Sequence, residues 1–192
     1  MYDIESLSEA VLRRGTPPGR VPLVGVDGAG GSGKSTLARA LAEAIGAEVV
    51  HVDDFYLPSG LRPAGAAAEE PGAFFDLARL RAEAVAPLAA GREARFHRYD
   101  WDADAPAAEE TVVAAGRPVV VEGVHALHRS LRGLYTFRIH CEAARETRLR
   151  RGLERDGEAA RSMWVDVWMP AEDRYLAAHR PQDCADVLIS TD

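Results

Sequence analysis

One segment near the start of the chain combines glycines, a lysine and hydroxyl side chains in a spacing that can bind phosphate. Residues 25–38 read GVDGAGGSGKSTLA, and Gly28-x-x-x-x-Gly33-Lys34-Ser35 fits the pattern G-x-x-x-x-G-K-[ST]. The glycines let successive N–H groups turn toward one anion, and the lysine ammonium reaches the β- and γ-phosphates. The predicted nucleotide-binding residues are Gly28, Ala29, Gly30, Gly31, Ser32, Gly33, Lys34, Ser35 and Thr36. We therefore expect this phosphate-binding loop (P-loop) to bind ATP, with Lys34 also assisting catalysis and Ser35 binding Mg²⁺.

Carboxylates follow two further apolar runs. Glu122 ends VVVEG, where we expect a second Mg²⁺ ligand, the alternative being a solvated acid at a strand end. Asp53 and Asp54 follow EVVHV. Ligands of open parallel sheets lie beyond the carboxyl ends of the strands, so one of this pair can accept a proton from an attacking hydroxyl. The other then forms a helix cap or an Asx turn.

Arginines are concentrated in residues 145–161. This segment begins with Arg145 and continues as ETRLRRGLERDGEAAR. Arg148, Arg151 and Arg155 are spaced to share one helical face. Such a face can close over ATP as a lid, at about residues 143–162, and stabilise charge on the transferred phosphoryl group. The alternative is a solvated face whose arginines pair with the acids of the same segment, Glu146, Glu154 and Glu158.

Other chemistry-bearing side chains give weaker signals. His125 and His128 have no third ligand at a metal spacing, so structural or surface roles are expected. Trp164, Trp168 and Tyr175 lie close to helical spacing, which is typical of packing residues.

The elements that must position these residues alternate along the chain. Strands are predicted at 21–26, 48–52, 117–123, 136–142 and in the closing run ADVLIS, and helices at 4–14, 34–45, 74–90 and 143–156. Residues 93–101 and 110–115 are expected to pair as a hairpin, and 57–72 to form a long loop. This alternation predicts an α/β sandwich with a parallel sheet of about five strands and helices on both faces.

Composition limits the function classes. The chain has 192 residues, which predicts one domain over 1–192. Its net charge of −7 argues against a nucleic-acid partner, and no apolar stretch approaches a membrane span. The acidic start MYDIESLSEAVLRR is unlike a signal peptide, and Cys141 and Cys184 indicate a reducing compartment. We therefore expect a cytoplasmic protein with a small-molecule substrate. Its oligomeric state, a homo-oligomer included, stays open.

The motifs VDGAGGSGKSTLA, HVDDFY, RYDW and VVVEGVHAL, with the arginine helix and CADVLI, together resemble the uridine kinase family from about Val21 to Ile189. That resemblance implies a P-loop kinase that transfers the γ-phosphate of ATP to a nucleoside 5′-hydroxyl. It implies Asp53 as the catalytic aspartate, Arg151 and Arg155 as lid arginines, and an acceptor pocket. The implied pocket residues are Tyr56, Tyr99 and Glu70, with Asp104 where nucleoside kinases of the family usually place a histidine.

Two alternatives remain at this point. The acceptor can be another small alcohol, such as pantothenate or a sugar, because the phosphoryl-transfer motifs match the family better than the acceptor motifs. A nucleotide-dependent switch or ATPase without an acceptor is the other, although HVDDFY and RYDW count against it.

Overall fold

A five-stranded parallel sheet forms the centre of the protein in the computed structural model, which describes residues 3–16, 20–65 and 69–192. Its strands are β1 (Leu23–Gly28), β2 (Glu48–His51), β5 (Val119–Glu122), β6 (Phe137–Glu142) and β7 (Val187–Ser190). Their order across the sheet is β2-β5-β1-β6-β7. The phosphate-binding strand β1 is therefore central, with β5 and β6 on either side.

Burial of both sheet faces explains why these segments form strands. All residues of β1 and β5 are buried, as expected for central parallel strands that helices cover on both sides. The pairs Val26 with Glu122 and Val26 with Ile139 set the register of β1 against its neighbours. In this register Glu122 lies at the carboxyl end of β5, close to the P-loop that follows β1.

Helices cover the two faces. The helices are α1 (Ile4–Arg13), α2 (Lys34–Ile45), α3 (Leu77–Arg79), α4 (Ala86–Ala89), α5 (Arg145–Asp156), α6 (Met169–His179) and α7 (Pro181–Cys184). α1 and α2 pack on one face of the sheet through Leu7, Leu37 and Leu41. Leu80 and Val85, in the π-helical turns Leu80–Val85 that join α3 to α4, pack on the other face. The predicted α/β sandwich is confirmed.

Two features lie outside the sheet. The strands β3 (Ala94–Asp100) and β4 (Ala105–Val113) pair antiparallel, which confirms the predicted hairpin. The π-helical segment Met163–Trp168 leads from the arginine helix α5 into α6.

The predicted loop 57–72 includes residues 66–68, which lie outside the described residues. Within the described ranges, every helix is too short or too polar to cross a bilayer.

Gly152 permits close packing between α5 and the π-helical segment. A Cβ atom at this position would lie 2.4 Å from the indole ring of Trp164, which is only 1% exposed. We predict that Gly152→Ala lowers the free energy of unfolding by about 1–3 kcal/mol, because the added carbon forces the packed Trp164 ring or α5 to shift. Urea denaturation measures this. Gly133→Ala is the matched control, since its Cβ would meet nothing within 4 Å. Equal denaturation midpoints for the two variants would contradict the prediction.

Candidate active site

The P-loop connects β1 to α2 in a conformation that only glycine adopts easily. Gly31 and Gly33 have φ values of +75° and +79°, in the left-handed region. A Cβ on Gly31 would also lie 2.5 Å from the backbone oxygen of Arg148. The loop ends where α2 begins, at Lys34, so the positive end of the helix dipole faces the loop. This geometry fits a site for a phosphate chain.

Ser35 and Glu122 meet beside the P-loop, as the sequence predicts for two ligands of one Mg²⁺ ion. Ser35 Oγ donates to Glu122 Oε2 at 3.1 Å, and His51 Nδ1 lies 2.7 Å from Glu122 Oε1. Burial opposes ionisation of Glu122, but the bond from His51 and the nearby Lys34 charge leave its pKa below the usual value. A hydroxyl and an ionised carboxylate are hard oxygen donors, which suit Mg²⁺ when phosphate oxygens and water complete its coordination. Across the described ranges, no cluster of three His, Cys, Asp or Glu side chains could hold a metal.

Asp53 and Asp54 follow β2 in a 3₁₀ turn, Val52–Phe55, and face in different directions. Asp53 lines a cavity that adjoins the P-loop, and Lys34 lines the same cavity. Desolvation by the cavity walls raises the pKa of Asp53, against the lowering effect of the Lys34 charge. Asp54 Oδ2 instead lies 3.7 Å from Arg98 Nε on the hairpin. Of the two, Asp53 is the one that lines the cavity, and its role as the catalytic aspartate stays a prediction.

The three arginines on the inner face of α5 have different partners. Buried Arg148 donates to Glu172 Oε2 at 3.0 Å, and Glu172 Oε1 accepts the Gly30 N–H at 2.8 Å. Arg151 Nη1 donates to the Gly31 carbonyl at 3.2 Å, and its Nη2 to the Thr191 carbonyl at 2.6 Å. These two side chains therefore connect α5 to the P-loop and to the segment after β7.

Of this face, only Arg155 lines the cavity. Its guanidinium bonds both carboxylate oxygens of Asp156 and lies 5.7 Å from the centre of the Trp164 ring. The transition-state role predicted for Arg155 therefore suits its position. The same role for Arg151 stays a prediction that requires its guanidinium to leave the Gly31 and Thr191 carbonyls. Away from this face, Arg150 pairs with Glu154 and Arg161 with Glu158, as the solvated alternative expects.

A cavity of about 760 Å³ extends from the P-loop and Asp53 toward the loops and the π-helical segment. Two of the predicted acceptor residues, Tyr56 and Glu70, line it. The other two, Tyr99 and Asp104, are not among the described lining residues. The Tyr99 hydroxyl donates to Asp104, which also accepts from the Ser59 N–H at 3.0 Å and from Arg62 Nη2 at 3.2 Å. These bonds, with one from the Ser59 hydroxyl, hold the start of the 57–72 loop against the hairpin. The Ser59 hydroxyl, followed by the Tyr99 hydroxyl, lowers the pKa of Asp104 to about 2. A direct acceptor contact by either residue stays a prediction.

The cavity also contains residues that the sequence analysis did not assign to a site. They are Glu172, His125, Trp101, Trp164, Trp168 and Phe75. His125 was expected to have a structural or surface role, and Trp164 and Trp168 to be packing residues. Trp164 is indeed packed, with 1% of its surface exposed, but it also lines the cavity. The position of His125 two residues after VVVEG, beyond the carboxyl end of a central strand, is the signal that could have identified it.

A P-loop at the end of a central parallel strand, a serine–glutamate pair beside it and an aspartate facing an adjoining cavity define the class of P-loop kinases. The model of the phosphoribulokinase / uridine kinase family matches residues 23–163. The chain belongs to this family, and the resemblance found in the motifs is confirmed.

Individual relatives agree with this assignment. A phosphoribulokinase from Synechocystis sp. is 30% identical over 181 residues, covering 88% of this chain and 53% of the relative. The chain thus spans about half the length of that protein. A uridine kinase from Deinococcus deserti is 32% identical over 142 residues, 70% of this chain and 68% of the relative. A Bacillus stearothermophilus structure described as a possible uridine kinase has a TM-score of 0.75 at 22% identity, covering 97% of this chain and 96% of that one, which supports the fold.

The His51–Glu122 pair predicts a pH-dependent contribution to stability. The bond to Glu122 raises the pKa of His51 above 6.5, and Glu122 has a pKa below 4.5. The histidine contribution is complete below about pH 6.5 and is lost as pH rises through the raised pKa. The glutamate contribution is present above about pH 4.5 and is lost in stronger acid. We expect His51→Gln to destabilise the protein more at pH 5.5 than at pH 9, measured by urea unfolding. A difference independent of pH would contradict an ionic pair.

Proposed function

We propose that this protein transfers the γ-phosphate of ATP to the hydroxyl of an uncharged, ring-bearing alcohol, and that the acceptor is a nucleoside such as uridine or cytidine, phosphorylated on its 5′-hydroxyl. The observation that carries this proposal is the chemistry of the cavity wall beyond the P-loop. This wall is rich in aromatic rings and carboxylates, and apart from the cations assigned to ATP its one arginine, Arg174, already has a partner within the protein.

The aromatic side chains favour a flat acceptor. Tyr56 packs edge-on against Phe75 at 5.0 Å and lies 5.0 Å from the ring of Trp101 at a shallow 31°. Trp164 and Trp168 line the side formed by the π-helical segment. Aromatic surfaces of this kind stack on planar rings, which a nucleobase provides and an open-chain sugar does not.

The charges in the wall argue against an acceptor that carries its own phosphate. Carboxylates from Glu69, Glu70 and Asp166 line the cavity. Among the described lining residues, Lys34 and Arg155 are assigned to ATP and the group in transfer, and the one further arginine, Arg174, donates to the Glu69 carbonyl at 3.2 Å. A sugar phosphate needs arginine or lysine donors for its phosphate. The acidic residues suit the hydroxyl groups of a ribose, as predicted for Glu70. The uridine kinase from Deinococcus deserti provides a precedent within the family.

The reaction uses groups already present in the site. The P-loop amides and the Lys34 ammonium hold the phosphates of ATP and neutralise charge on the β–γ bridge. Asp53 orients the acceptor hydroxyl and takes its proton as the oxygen attacks the γ-phosphorus. The bond between that phosphorus and the bridging oxygen breaks, and the electron pair leaves with ADP. Arg155 stabilises negative charge on the group in transfer.

Ser35 and Glu122 would hold Mg²⁺ in this proposal. When bound, the ion would neutralise charge on the β- and γ-phosphate oxygens. His51 keeps Glu122 ionised for this purpose, since its bond to Oε1 lowers the pKa of the carboxyl.

An acceptor screen tests the proposal. Coupled ADP release is measured with uridine, cytidine, pantothenate, sugar alcohols and ribulose 5-phosphate at saturating ATP and Mg²⁺. We expect slow ADP release from ATP alone and rapid release with a pyrimidine nucleoside. Lys34→Ala is the control, because it should abolish turnover without unfolding the protein.

Two results would contradict the proposal. Preferred turnover of ribulose 5-phosphate would show that the cavity accepts a second phosphate. ADP release that no alcohol accelerates would instead favour an ATPase or nucleotide switch.

The opposite orientations of the two aspartates predict a difference between their variants. Asp53→Asn should lower kcat by about 10²–10⁴-fold, because the amide cannot accept the proton. The raised pKa of Asp53 also predicts that wild-type kcat falls in mild acid, as the base protonates, at a pH above the usual aspartate range. Asp54→Asn is the matched control and should retain most of its kcat, since its carboxylate faces Arg98. The reverse ranking of the two variants, in steady-state rates at several pH values, would refute the assignment.

A further inference from the structure

His125 occupies an unusual position at the cavity wall. It lies three residues after Glu122, its side chain lines the cavity, and only 6% of its surface is exposed. Its ring packs edge-on against two aromatic rings, Phe75 at 5.1 Å and Tyr175 at 4.4 Å. Because Phe75 in turn contacts Tyr56, the imidazole continues the aromatic wall toward the floor of the cavity.

The backbone at His125 is held in an unfavourable conformation. Its φ is +74°, in the left-handed region that bulky residues rarely adopt. Bonds on either side maintain it: the Ala126 N–H donates to the Gly123 carbonyl at 3.2 Å, and the Leu127 N–H donates to Asp27 Oδ2 at 2.8 Å. Strained residues of this kind are concentrated at functional sites, where the surrounding structure offsets their cost.

The imidazole has unused hydrogen-bonding capacity. Within the part of the chain that the structure describes, its buried Nδ1 has no hydrogen-bond partner. Burial lowers the pKa of His125 to about 3, against the raising effect of the Asp27 carboxylate. The ring is therefore neutral near pH 7 and offers one N–H donor and one acceptor nitrogen. Because Nδ1 has almost no accessible surface, Nε2 is the nitrogen that can meet a molecule in the cavity, and it too has no hydrogen-bond partner among the described residues. An imidazole with no partner in a cavity wall points to a partner that comes with a ligand.

We propose that His125 is an acceptor-binding residue, whose neutral imidazole exchanges a hydrogen bond with a polar ring substituent, a carbonyl or N–H group, of the uncharged alcohol. The inference rests on the proposed function, because it assigns this cavity to the acceptor. His125 distinguishes a ring that carries such a group from an apolar ring of the same shape. Stacking on Tyr56 and Phe75 then supplies affinity, and the imidazole supplies selectivity.

The test compares His125→Phe with the wild type in steady-state assays with uridine and cytidine. Phenylalanine keeps the edge-on packing and removes both nitrogens. We expect the KM for the nucleoside to rise about 10-fold or more, with a much smaller change in the KM for ATP. Urea unfolding should show equal or greater stability for the variant, because an unpartnered buried nitrogen has been removed. A merely structural histidine would not give lower nucleoside affinity together with undiminished stability.

Two further variants complete the design. His128→Phe is the matched control: this histidine is not among the described lining residues, so its substitution should leave the nucleoside KM unchanged. His125→Asn keeps a polar group and tolerates the left-handed backbone, so it should recover part of the lost affinity. If His125→Phe does not fold, the nucleoside KM of His125→Asn provides the test instead.

The outcomes separate the two proposals. An unchanged nucleoside KM in both His125 variants, with an active wild type, overturns only the role of His125. Parallel loss of stability and of ATP affinity assigns His125 to the fold and also overturns the inference. A wild type that phosphorylates neither nucleoside refutes the proposed acceptor, and the role of His125 in binding it fails with it.

Discussion

Asp27 lies on β1 immediately before the P-loop, and its carboxylate is completely buried. It accepts the Leu127 N–H and the Tyr175 hydroxyl, both at 2.8 Å, and lies 3.2 Å from Nδ1 of His140. A buried carboxylate is costly unless several donors surround it. The cost is met only when the loop after β5, helix α6 and strand β6 converge on β1. The loop carries His125 and the helix carries Glu172, so this one carboxylate sets the positions of cavity residues from distant parts of the chain.

Helix α5 shows how one sequence pattern can serve several roles. Arg148, Arg151 and Arg155 share a face, as their spacing predicts, and that face is turned toward the P-loop. Arg148 is buried with Glu172, Arg151 bonds backbone carbonyls, and Arg155 alone lines the cavity. The position of each arginine along the helix, rather than its chemistry, decides whether it bonds groups of the protein or lines the cavity.

Much of the fold and part of the site could be predicted from sequence because the signals are local. Three features depend only on residues close in sequence. They are the P-loop, the two strands that end at the P-loop and at Glu122, and the end of α2 at Gly46, whose φ is +64°. The bond from Gly30 to Glu172 joins residues 142 apart and depends on how α6 docks, which no periodicity reveals. The sequence placed His125 just beyond a central strand, but its burial beside Phe75 and Tyr175 could not be predicted, because those contacts join residues distant in sequence.

The contacts that hold the P-loop have a consequence for the order of folding. The loop is a short, continuous segment, yet its partners are distant: Gly31 meets Arg151 across 120 residues, and the Ser32 carbonyl accepts from Thr191 across 159. Closing such long intervals is entropically expensive, and contacts of this range form slowly. A chain in which β1 and α2 have formed still lacks the bonds from Arg151 and Thr191 to the P-loop until α5 and β7 have packed against the rest of the sheet. Phosphate affinity should therefore be among the last properties acquired in refolding, later than most of the helical signal in circular dichroism.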